Sequence, residues 1–139
     1  MIVTAELALQ TVEGTGLAFE ARVAGHSLTF DSGATAEAPT PMQVVLAAVG
    51  GCTAMDVISI LRKKRQQVTG YELVVTGEKA EEHPKVFTRI EVLHRVRGHD
   101  ISPAAVEDAI RLSDSKYCSV HAMLEASVKL SSRFEILPA

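Results

Sequence analysis

Two cysteines, Cys52 and Cys118, are the side chains best suited to chemistry in this sequence. An ionised thiol is a nucleophile and a metal ligand, and two thiols can exchange electrons by forming a disulfide. Each has polar company. Asp56 follows Cys52 by one helical turn and would share its face of a helix. A carboxylate beside a thiol disfavours the thiolate, so Asp56 is not read as a catalytic base. Cys118 stands in Ser115-Lys116-Tyr117-Cys118-Ser119-Val120-His121. Lys116 at a surface would favour a thiolate only weakly. His121 would lie near the sulfur if the chain keeps a helical turn, where a His can activate a thiol or share a metal with it. For either cysteine the plain alternative is an inert core residue.

Other chemistries fare worse. A structural zinc site takes four Cys or His ligands, usually in close pairs. Cys118 and His121 make one such pair, no Cys-x-x-Cys occurs, and His83, His94 and His99 are scattered, so no metal is expected. There is no Gly-x-Ser-x-Gly elbow, phosphate-binding loop or Gly-x-Gly-x-x-Gly turn. The basic run Arg62-Lys63-Lys64-Arg65 is explained by solvation and the dipole at a helix C-terminus.

The elements that must position these thiols can be read from periodicity. Ala5, Leu7 and Leu9 alternate, as do Leu17, Phe19, Ala21 and Val23, with Glu13-Gly14-Thr15-Gly16 between them. Gly25-His26 suggests a second turn before Leu28, Thr29 and Phe30, giving a three-stranded meander. A helix is expected from Pro41 to about Gln66, with Thr40 as N-cap and Pro41 at the first helical position. Through Ala54 it carries no charge, and a helix apolar on every side is buried on every side. Gly50-Gly51 in its interior costs roughly 1 kcal/mol per glycine, which implies either room or close approach beside Cys52, or a crossing of helices at small residues. Val68–Glu78 and Val86–Arg97 read as a long hairpin, and Ser102-Pro103 opens a second helix running to about Tyr117. Leu124–Leu137 reads as the last strand. The order is β-β-β-α-β-β-α-β, an α+β plan in a single domain, 1–139.

Composition narrows the partners. With 47% apolar and 22% charged residues the chain is of ordinary globular type, not a disordered one. A net charge of −3 provides no field for nucleic acid, and six Phe and Tyr with no Trp make a poor base-stacking platform. No uninterrupted apolar run reaches the roughly 18 residues of a membrane span, and the first residues lack the pattern of a signal peptide. No nucleic acid and no membrane are expected, and the location expected is cytoplasmic. There thiols are kept reduced, so a static structural disulfide is not expected.

Taken together, the two cysteine segments resemble a known family. Thr40-Pro41-Met42-Gln43, the apolar run and Gly50-Gly51-Cys52-Thr53-Ala54-Met55-Asp56-Val57-Ile58-Ser59-Ile60-Leu61 are similar to the central helix of the OsmC/Ohr family. Lys116-Tyr117-Cys118-Ser119-Val120 resembles its second-cysteine segment, and the strand order fits along nearly the whole chain. The resemblance implies an intertwined homodimer in which two long central helices are wrapped by antiparallel sheets from both subunits. A partner chain would then cover the uncharged helix. It implies thiol-dependent reduction of organic hydroperoxides in oxidative-stress defence, with Cys52 as the peroxidatic thiol and Cys118 as the resolving one. An external dithiol would restore both, without metal or organic cofactor.

Two departures bear on rate. The family's peroxidases carry a glutamate just after the proline that opens the central helix, where this chain has Met42. They also carry an arginine near the start of the second strand. Thr11–Ala21 contains none, and Arg22 has no secure match to it. The expectation is a site with both cysteines and a weakened activating pair. The competing readings are a redox sensor with a slow regulatory disulfide and a dimer that binds a small apolar ligand.

Overall fold

The alternation in the first segment builds a three-stranded antiparallel sheet of β1 (Ala5–Leu9), β2 (Phe19–Val23) and β3 (His26–Phe30). The pair Val23↔His26 leaves Ala24-Gly25 as a two-residue turn, with φ of 51° and 79°. Positive φ at both positions matches the twist of the strands it joins. The turn thus lies one residue earlier than Gly25-His26. The computed structural model describes residues 1–139 in two compact units, Met1–Val45 and Leu46–Ala139.

Helix α1 spans Pro41–Lys63. Its start is a reciprocal cap: the Thr40 N–H donates to Gln43 Oε1 (2.9 Å) and the Gln43 N–H to Thr40 Oγ1 (3.2 Å). It stops three residues short of the expected Gln66. Arg65 turns left-handed (φ 58°), and the Gln66 N–H reaches back to the Leu61 carbonyl at 3.0 Å. By length and composition alone α1 contains a stretch apolar enough to cross a bilayer. Counting uninterrupted runs missed it, because Gln43, Thr53 and Asp56 break the run without outweighing it. In this fold it is a core helix, with Val49, Gly50, Thr53, Val57 and Leu61 buried.

The second sheet has the order β4 (Gln67–Lys79), β5 (Phe87–His99), β6 (Lys129–Pro138). β4 and β5 form the expected antiparallel hairpin. β5 and β6 run parallel, from Arg89↔Lys129 to Gly98↔Pro138. The expectation of antiparallel sheets is corrected here, because a helical crossover between β5 and β6 returns the chain in the same direction. Gly50 meets this sheet, and a Cβ there would lie 2.8 Å from Val75 Cγ2. Close approach to a strand, not a helix crossing, accounts for that glycine, whereas Gly51 faces open space.

The crossover opens with α2 (Pro103–Leu112), capped as expected by Ser102, whose Oγ accepts from the Ala105 N–H at 3.2 Å. It does not continue as one helix to Tyr117. Ser113–Tyr117 forms a π-helical turn, Cys118 is extended (φ −73°, ψ 103°), and α3 (Ser119–Leu124) follows. The last strand accordingly begins at Lys129, not Leu124. The core of this unit joins Val57 and Leu61 of α1, Val96 of β5, Ile101, and Val106, Ala109 and Ile110 of α2.

Candidate functional site

Cys52 lies in the middle of α1 and is partly exposed, while Cys118 is 3% exposed at the break between the π turn and α3. The fold brings the two together. Both sulfurs and a carboxylate oxygen of Asp56 lie within 4.8 Å of one another. The π turn adds a residue to its helical turn and ends the helix at Cys118, a distortion frequent at functional sites.

A short hydrogen-bond chain braces the carboxylate. Ser113 is fully buried, and its hydroxyl donates to Asp56 Oδ2 at 2.9 Å. That uses its one proton, so the Thr53 hydroxyl, 2.8 Å away, donates to Ser113 Oγ. Cys118 is tied to the same turn through its N–H, which donates to the Ser113 carbonyl at 2.8 Å.

Burial pushes the Cys118 thiol up to about 11. The His121 N–H, donating to Sγ at 3.4 Å, opposes the rise, and Cys52 and the Asp56 charge add to it. No lysine or arginine acts on it. Lys116 instead places its ammonium 5.1 Å from the Tyr117 ring centroid. The His121 ring is bracketed by carboxylates, with Nδ1 3.6 Å from Asp114 and Nε2 3.6 Å from Glu125. What His121 gives the thiol is its backbone N–H, not a ring nitrogen. Met42 sits in the first turn of α1, and Arg22 pairs with Glu20 within its own sheet at 3.3 Å.

Sequence reasoning missed Thr53, Ser113, Asp114 and the pair Tyr71–His94. Tyr71 Oη and His94 Nδ1 share a hydrogen bond of 2.6 Å, and His94 is fully buried with Nε2 unpartnered. Burial lowers His94 to about 4. Burial raises Tyr71, and the charges of Asp114 and Asp56 raise it further. In the observed register Leu73 pairs with His94 and Tyr71 with Val96, which makes Tyr71 and His94 diagonal neighbours on one face. Beside Asp56 a cleft of about 430 Å³ is bordered by Ser59, Lys63, Lys64, Leu112 and Tyr117.

The stretch holding both thiols lies within residues 33–133, which match the family described as OsmC-like protein. The chain belongs to the OsmC-like family. The OsmC-like relative YhfA of Escherichia coli K12 is 45% identical over 115 residues, spanning 83% of this chain and 86% of its own. The crystal structure of a hypothetical protein from Aquifex aeolicus VF5 superposes with a TM-score of 0.88 at 30% identity, covering 100% of this chain and 98% of that one. The organic hydroperoxide resistance protein OhrB of Bacillus subtilis shares the OsmC-like fold at a TM-score of 0.63 and 14% identity, over 97% and 98% of the two chains.

Proposed function

We propose that this chain is a thiol-dependent peroxidase for organic hydroperoxides, working as a cytoplasmic homodimer of one OsmC-like domain, 1–139. The reading rests on two sulfurs from separate elements within 4.8 Å, one partly open and one buried. The open Cys52 thiolate attacks the outer peroxide oxygen, the O–O bond breaks, the alkoxide leaves and takes a proton from water to become the alcohol, and a sulfenic acid remains. Cys118 then attacks that sulfur, expelling water and forming the disulfide, which an external dithiol reduces. OhrB of Bacillus subtilis, an organic hydroperoxide resistance protein of the same fold, supports the substrate class. A cleft of about 430 Å³ opens beside Asp56, whose carboxylate lies near both sulfurs.

Catalytic turnover of an organic hydroperoxide with a dithiol present is the test. Cys52→Ser is expected to abolish consumption. Cys118→Ser is expected to leave a sulfenic acid that over-oxidises. Absence of a Cys52–Cys118 disulfide after one equivalent of peroxide, read by peptide mapping, would remove the resolving role. A second reading, a slow redox sensor, is favoured by Asp56 and the absence of a cation acting on Cys118. It predicts one oxidation per chain without sustained turnover.

A further inference from the structure

Cys52, Asp56 and Cys118 bring three potential metal-ligand atoms, two sulfurs and an oxygen, to one point of the fold. Two come from one helix, a turn apart, and the third from the start of the next helical segment in the crossover. The carboxylate is not free to swing, because Ser113 holds Oδ2 and Thr53 in turn holds Ser113. A carboxylate so held keeps unused lone pairs for a further bond. Metal-ligating carboxylates are oriented by hydrogen bonds of this kind.

A tetrahedral zinc ion takes sulfur at about 2.3 Å and carboxylate oxygen at about 2.0–2.2 Å, which sets its donors roughly 3.5–3.8 Å apart. Donors already within 4.8 Å need shifts of only about 1 Å to reach that spacing. Two sulfurs and one oxygen select a soft or borderline cation over magnesium or calcium. We propose that the reduced chain binds one divalent cation of the zinc class through Cys52, Cys118 and Asp56, with the fourth position open to water. Binding forms two metal–sulfur bonds and one metal–oxygen bond and releases the thiol protons to solvent. The ion occupies the same sulfurs that a peroxide would oxidise, so the loaded and the peroxide-reducing chains are alternative states. The site does not depend on the peroxidase reading.

The test uses the full, reduced protein, dialysed separately against zinc and against cobalt as an optical probe. Expected are one ion per chain and thiolate-to-cobalt charge-transfer bands of two-sulfur intensity. Cys52→Ser and Cys118→Ser should each weaken binding by more than about 100-fold, and Asp56→Asn by about 10–100-fold with the sulfur bands retained. Ser113→Ala should weaken binding by about 10-fold. Circular dichroism of each variant separates lost binding from lost folding. Binding that survives loss of either cysteine, or cobalt spectra without sulfur bands, would overturn the proposal. Peroxide consumption by the metal-free protein is read separately, so either reading can fail alone.

Discussion

Asp56 lies beside two thiols that must ionise to react, and its charge works against the buried one. Asp56→Asn should therefore bring Cys118 down from about 11 and speed disulfide formation after one equivalent of peroxide, by a few-fold at pH 7. In the wild type that step should quicken as pH rises from 7 towards 11, close to tenfold per unit. Stopped-flow loss of the sulfenic acid follows both effects; a rate flat above pH 7 would contradict them. His94 predicts the opposite edge of pH. Its folded value, about 4, lies below the ordinary 6.5, so burying the neutral ring stabilises the fold above pH 6.5. That contribution, on the order of 3 kcal/mol, is lost as pH falls from 6.5 through 4. Denaturant midpoints at pH 7, 5 and 4 should fall steeply in the wild type and less in His94→Gln. Both thiols were legible in the sequence as candidate site residues, and the fold brings them together. Ser113 and Thr53 were not, because a hydroxyl becomes part of a site only through partners far away in the chain, and nothing local marks which serine will be buried.

Among the elements, starts were easier to read than ends. Thr40-Pro41 and Ser102-Pro103 announce their helices through side-chain oxygens and a residue without an N–H. The end of α1 carries no glycine or proline; it depends on Arg65 adopting a left-handed conformation, which no local signal foretells. The break at Cys118 was hidden for another reason. A thiol sulfur accepts the capping N–H of His121 at 3.4 Å, whereas the usual N-cap signal is an oxygen. Packing, too, separates two adjacent glycines that look alike in sequence. Gly50→Ala would press a methyl against Val75 and should cost about 1–3 kcal/mol despite the gain in helix propensity. Gly51→Ala meets nothing within 4 Å and should be neutral or gain up to about 1 kcal/mol. Thermal unfolding of the two variants side by side checks the contrast.

At the scale of the whole chain, the alternation of β1 raises a question that one copy does not answer. Leu7 and Leu9 repeat as though facing a core, yet they are 57% and 39% exposed, and Met55 on α1 is 73% exposed. Apolar area at about 25 cal/mol per Å² is too costly to leave in water at so many places, so a homodimer built on Val44–Ile60 is expected. Sedimentation at micromolar concentration should find no stable folded monomer. The strand order was legible because hairpins are local, while the partner of β1 was not, since period alone names a buried face without naming what buries it. The parallel pairing of β5 with β6 has a further consequence, set by the direction of protein synthesis. α1, β4 and β5 are synthesised before residue 118, and β6 is made later still. For that interval the nascent chain carries Cys52 without its partner, on a half-built sheet whose β5 edge is still open. The disulfide and the two-sulfur metal site both need Cys118, so neither can form until translation is nearly complete.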